Sequence, residues 1–180
     1  PKTAWPPTCA AAEITVPITS SKTTVFQYDS GSGQYAVEEY GAAYVDGNSG
    51  QQVTVTNVLI LATSIRSIPG DSEGRLTVDL TGGTGWYACG GRYIPIQWEK
   101  GAGAEPLLLM TESGTPLELG QGTSYISVVS TGCQVVFEEY GIDRQEWLDM
   151  LELAAIATVG DVMKLRDENR IVVKEGLKKL

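Results

Sequence analysis

From residue 13 to residue 137 the chain is written in short apolar alternations separated by glycine-rich or polar turns. That pattern restricts it to a mostly β fold. In VTVTNVLILA, period-2 alternation at Val53 and Val55 passes into a continuously apolar run over residues 58–62, as in a strand covered on both faces. RLTVDL places Leu76, Val78 and Leu80 on one face and Thr77 and Asp79 on the other. RYIPIQW alternates too, but Pro95 has no N–H for a ladder and predicts an edge or a bulge. SYISVV and CQVVF, joined by Ser130-Thr131-Gly132, read as a hairpin. Strands this short with regular turns suit an antiparallel sandwich or a partly open barrel.

The flanks differ. Residues 1–12 open with proline-rich PKTAWPPTC and read as a linker, leaving 13–137 as the β-rich domain and 138–180 as an appendage. In the appendage the period becomes helical: Trp147, Met150, Leu151, Ala154 and Ala155 recur at three- and four-residue steps. Asp143 with Glu146 resembles a capping box. Thr158 to Gly160 interrupts the pattern, and Asp161 can cap a second, shorter helix, while RIVVKEGLKKL is ambiguous between a strand and a frayed end. The spacing in LAAIATVGDVMKLRDENR is compatible with a helix-turn-helix, but Asp161, Asp167 and Glu168 cancel Lys164, Arg166 and Arg170. A recognition helix needs an uncompensated basic face. A helical appendage that makes protein–protein contacts, with Trp147, Met150, Leu151 and Ala154 as its partner surface, is the reading preferred over DNA binding.

Charge and chemistry narrow the function classes. With 13 basic and 22 acidic side chains the formal charge is −9, which disfavours phosphate backbones and anionic lipid surfaces. The 180 residues contain no histidine, so Ser-His-Asp and Cys-His mechanisms within this chain are excluded. Cys9, Cys89 and Cys133 are widely spaced with no Cys-x-x-Cys pattern, and a zinc or thioredoxin-like reading fails. Two small buried hydrophobes plus one terminal thiol is the simplest assignment; one disulfide with a leftover thiol is the alternative. Cys89 has only Arg92 nearby to activate it. No apolar run reaches the length of a membrane span.

Several motifs in order over residues 25–129 resemble the C-terminal domain of the YerB-like lipoprotein family. FQYDSGSGQY is similar to the family's Phe-x-Tyr-Asp, turn, Tyr; VTVTNVLIL to its buried strand centred on Asn-Val; GRLTVDL followed by GTGWYACGGRYIPIQWEK to its longest signature; and GTSYISVV to its terminal strand. The sequence departs from the pattern in two places. Tyr44 stands where the family commonly has a His two residues before the Asp matched by Asp46, and the Lys and Trp of the last motif give way to the Gly122-Thr123 pair and Tyr125. The resemblance implies an extracytoplasmic, membrane-anchored protein of Gram-positive bacteria, its lipid anchor lying outside this chain, of unestablished biochemical function.

The candidate ligand-binding residues are Trp86, Tyr87, Asp46, Asp79 and Asn57. Asp29, Asp46 and Asp79 are tied to motifs, and paired carboxylates could act on a cell-envelope glycan. Each is more simply a turn-former whose side chain accepts backbone N–H bonds. Asn57, inside the most apolar strand, needs partners for its amide. TGGTGWYACGG lacks the lysine and Ser/Thr of a phosphate loop and reads as a hairpin connection. Of Trp86, Tyr87, Tyr93 and Trp98, core filling is the default, with Trp86, surrounded by glycines, the expected exception. The expectation is therefore a binding or scaffolding module with a protein partner or a second copy of itself, no catalytic residue, no metal, no cofactor and no nucleic acid. A carboxylate-using glycan enzyme is the alternative, with DNA binding through the tail behind it.

Overall fold

The computed structural model describes residues 9–139, and the domain is mostly β. Its strands are β1 (Cys9–Ala10), β2 (Glu13–Pro17), β3 (Thr23–Asp29), β4 (Gln34–Glu39), β5 (Ala42–Ala43), β6 (Thr54–Val55), β7 (Asn57–Thr63), β8 (Ile65–Ser67), β9 (Leu76–Val78), β10 (Gly82–Cys89), β11 (Arg92–Lys100), β12 (Leu107–Thr111), β13 (Ser124–Ser130) and β14 (Val136–Glu138). One six-stranded sheet has the order β1-β11-β10-β7-β13, with β12 also paired to β11. The second has the order β14-β2-β3-β4-β5, with β6 paired to β4, and β8 and β9 form a separate ribbon. Neither large sheet closes into a barrel, and no helix occurs among the described residues. The predicted helical appendage, including Trp147, Met150, Leu151 and Ala154, lies outside the described residues.

The two sheets share a core. Ile14, Val16, Phe26 and Val37 from the second sheet cluster with Val58, Ile60, Ala62, Ala88 and Val129 from the first. The first sheet is covered on its other face too, where Leu59, Leu61, Tyr87, Ile94, Ile96 and Trp98 cluster with Leu107, Leu109 and Leu117. Strand β7 is buried at every position, its even-numbered apolar residues in one cluster and its odd-numbered ones in the other. This matches the continuous apolar run of its sequence. Each such aliphatic side chain contributes about 1.5–3 kcal/mol relative to exposure.

Several local expectations are overturned. Strand β13 runs parallel to β7 (Ser127 opposite Ile60), so the fold is not purely antiparallel. The expected hairpin between β13 and β14 does not form: β13 pairs with β7 in one sheet and β14 pairs with β2 in the other. Ser130-Thr131-Gly132 instead carries the chain from sheet to sheet. Residues 9–12, assigned to a linker, are tied into the domain: Cys9 pairs with Tyr93, Ala11 is fully buried, and Ala12 N–H donates to the Glu138 carbonyl.

The glycine-rich stretch is also mostly strand. Gly82, Gly83 and Gly85 lie in β10, and the hairpin turn is only Gly90-Gly91, both at positive φ. Gly85 is dictated by close approach, since a Cβ there would overlap the Ile60 carbonyl oxygen of β7. Pro95 sits opposite Trp86. On its other flank it falls between the residues paired with β1 (Arg92, Tyr93) and those paired with β12 (residues 96–100), a gap where a missing N–H leaves no ladder bond unmade.

Candidate functional site

The polar residues singled out in the sequence separate into structural groups. Asn57 and Tyr87 come together and are both fully buried. The Tyr87 hydroxyl donates to Asn57 Oδ1 (2.8 Å) and accepts from Gly120 N–H (2.8 Å). Asn57 Nδ2 donates to the Gly120 carbonyl (2.8 Å) and to Ser124 Oγ (3.2 Å). This network pins the crossing segment before β13 onto the face of the first sheet. Burial pushes the Tyr87 phenol well above its usual pKa, keeping it a donor. Both side chains serve the fold and are closed to a ligand.

The aspartates act as turn caps. Asp46 Oδ1 accepts from the N–H groups of Asn48 (2.9 Å) and Ser49 (2.7 Å). Asp29 accepts from Gly31 and Ser32 N–H, and Asp79 Oδ1 accepts from the Thr81 N–H and hydroxyl. The bonds to Ser49 and Asn48 lower the Asp46 pKa, those to Ser32 and Gly31 lower that of Asp29, and those to Thr81 lower that of Asp79. Trp86 is half-buried against the shared core, 6.0 Å from the Phe137 ring; Phe137 stacks on Tyr93 at 3.7 Å. The ring expected to be exposed is therefore half-buried, with Phe137 of β14 beside it. Cys9, Cys89 and Cys133 are free thiols, Cys9 exposed and the other two half-buried.

A cluster that the sequence reading passed over lies where β13 of the first sheet meets β4 of the second. Glu39 Oε1 accepts from the Tyr125 hydroxyl at 2.7 Å and from Lys22 Nζ at 3.0 Å, with the glutamate side chain only 12% exposed. Burial pushes the Glu39 carboxyl up, but the Tyr125 and Lys22 hydrogen bonds and the Lys22 charge outweigh it and hold the pKa below the ordinary range. Tyr44 N–H bonds to the Val37 carbonyl, continuing the β4–β5 ladder and placing Tyr44 on the face that carries Val37 and Glu39. Its phenol lies within electrostatic reach of Lys22 and Tyr125. Tyr44 and Tyr125, singled out in the sequence, lie here within electrostatic reach of one another.

Tyr40 completes the cluster. With Gly41 it forms the two-residue turn between β4 and β5, at φ 55° and 75°. A primed hairpin turn prefers Asn or Gly at that first position, and a bulky side chain there costs on the order of 1 kcal/mol. Tyr40 is nevertheless 69% exposed, its ring centroid 5.7 Å from Lys22 Nζ. The EEYGAAY pattern, with tyrosine at the place of the turn asparagine, was the available signal.

An open groove flanks the β8–β9 ribbon, lined by residues that include Ser64, Arg66, Pro69, Val78, Asp79 and Leu80. Leu76 (56% exposed), Leu80 (54%), Ile68 and Val78 present apolar surface around it. The face that Leu76, Val78 and Leu80 share, as their alternation predicts, is an exposed one. Of the three candidate aspartates only Asp79 reaches this groove, so no shared carboxylate cleft forms there.

These features, two mostly antiparallel sheets on a common core with turn-capping aspartates, define a mostly β domain. The chain belongs to the family described as Protein of unknown function (DUF3048) C-terminal domain, whose model matches residues 14–126. Among solved structures it is similar to the YerB protein from Bacillus subtilis, with a TM-score of 0.59 and 22% identity, covering 69% of this chain and 43% of YerB. The chain thus spans less than half the length of that relative, and the likeness is one of fold. No curated protein matches the sequence.

Proposed function

We propose that this domain is a non-catalytic binding module acting on the extracytoplasmic side of a membrane-anchored protein, with the β8–β9 ribbon as a protein-docking surface. The observation that carries the reading is the exposure of Leu76, Val78 and Leu80 on a ribbon bordered by an open groove. Exposed apolar side chains gathered on one element mark interaction surfaces. Against a glycan-acting enzyme stands the electrostatics of the carboxyls. A general acid needs a raised pKa, whereas among the described residues the carboxyls with a shift, Asp29, Glu39, Asp46, Asp71 and Asp79, move downward. The extracytoplasmic placement is supported by the resemblance to lipoproteins.

Two measurements test this reading. A photo-cross-linker at Leu80, compared with one at exposed Leu108 on β12, should give a discrete adduct only from the ribbon, and Leu76→Ser should abolish it. Equal, diffuse labelling from both positions would remove the docking surface. Exposed Cys9 should react with a membrane-impermeant maleimide on intact cells producing the full-length protein; reaction only after lysis would place the domain inside the cell.

A further inference from the structure

We propose that Tyr40, Tyr44 and the Lys22–Glu39 ion pair form a binding site for a neutral saccharide, with a hexopyranose ring stacked on Tyr40 and its hydroxyls bonded to the ion pair. The site is separate from the ribbon and stands whether or not the ribbon docks a partner.

The first ground is Tyr40 itself. It occupies a left-handed turn position that asparagine or glycine fills without penalty, and its ring is the most exposed of the large hydrophobic side chains described. Its contact within the domain is the Lys22 ammonium at 5.7 Å. An exposed cation–π contact at most offsets the strain of that turn position, so folding alone gains little from an aromatic ring there. The second ground is the polar group beside it. Tyr125 and Lys22 both bond to Glu39 Oε1, which leaves Oε2 as an acceptor next to an ammonium with protons to donate. The hydrogen bond to Glu39 raises the Lys22 pKa, so the ammonium keeps those protons. The third ground is Tyr44, 43% exposed on the same face as Glu39, a second ring at the edge of the site.

The ligand class follows from these parts. A flat, exposed aromatic face stacks on the C–H face of a pyranose, while a paired donor and acceptor match vicinal hydroxyls. The charges of Lys22 and Glu39 cancel, so the site offers no net field for an anion or a cation. The chain's charge of −9 disfavours acidic polymers.

The test is titration of the full 180-residue chain with two neutral probes, cellotetraose and the β-1,4 tetramer of N-acetylglucosamine, and with tetra-alanine as the peptide arm. Saturable binding of at least one saccharide is expected, with chemical shifts at Tyr40 and Tyr44 and none from tetra-alanine. Tyr40→Ala should weaken it about tenfold, the loss of one stacked ring. Tyr40→Gly should lose binding equally while melting no lower than the wild type, because glycine relieves the turn. Leu108→Ser should bind as the wild type does. The proposal is overturned if neither saccharide binds, if binding ignores Tyr40, or if tetra-alanine saturates the same shifts. A lower melting temperature in Tyr40→Gly also overturns it, since the ring would then serve the fold.

Discussion

Strand β7 and the β8–β9 ribbon follow one another in the chain and use similar residues, yet one is the most buried element and the other among the most exposed. Residues 57–63 are flanked by β10 on one side and β13 on the other, with packed clusters above and below. Leu76, Val78 and Leu80 alternate with polar residues, but β9 has three residues and one neighbour, β8. Alternation tells which residues share a face; whether anything covers that face depends on pairing partners far away in sequence. The ribbon has no second layer among the described residues, so apolar side chains that fill a core at β7 make a surface at β9.

The sharpest way to break this contrast is to truncate one leucine on each element. Leu59→Ala, at a site 1% exposed and packed in the second cluster, should cost about 3 kcal/mol through lost burial and a residual cavity. Urea unfolding followed by tryptophan fluorescence gives the number. A loss under about 1 kcal/mol would mean that the face opposite the second sheet is loosely packed.

Tyr87→Phe comes next. The change leaves the Asn57 Oδ1 and the Gly120 N–H short of a partner inside the protein, an effect of about 2 kcal/mol. Because the hydroxyl joins β10 to the crossing segment, amide exchange should accelerate around Gly120 more than within β3 or β4. Uniform acceleration would assign the hydroxyl a global role instead.

How far the sequence could be read follows the same division between local and distant causes. The β class, the doubly covered β7 and the capping aspartates were legible because they depend on alternation and on turn chemistry within a few residues. The parallel β13–β7 pair was not, since residues 124 and 57 meet only after the chain has crossed the sheet. Gly85 reads as a loop glycine unless the approach of β7 is known, and Trp86 reads as exposed unless its packing against the shared core is known. At the candidate site, Glu39 was missed because its partners come from elsewhere, Lys22 from the β2–β3 turn and Tyr125 from β13, and only Tyr40 carried a local anomaly.

Acid titration sharpens the comparison at that second surface. The Glu39 pKa is depressed in the folded state, so its contribution is present above the unfolded carboxyl value near 4.3 and disappears as pH falls through the folded value. Stability should therefore drop on acidification below about pH 4.5, and Glu39→Gln should flatten this part of the profile. Asp29, Asp46, Asp71 and Asp79 are also depressed, so the slope should decrease without vanishing. An unchanged slope in Glu39→Gln would mean that the Lys22 and Tyr125 bonds do not persist in solution.

The smallest effect on stability should come from the ribbon, and its smallness is what the functional reading needs. Leu76 and Leu80 are each more than half exposed, and neither belongs to either core cluster. Replacing both with serine removes little buried area, and the combined change should stay within about 0.5 kcal/mol, as for surface substitutions. The ribbon keeps its own supports: the Ile65–Val78 and Ser67–Leu76 register, the Asp71–Arg75 ion pair, and the Thr63 hydroxyl bonded to the Asp79 carbonyl. If the double variant instead loses about 2 kcal/mol or more, the leucines are covered in solution by another part of the chain or by a second copy. Unfolding at two protein concentrations separates those cases, because a covering second copy makes the midpoint concentration-dependent. A midpoint that does not move, together with a small loss, leaves the ribbon as surface free to take a partner.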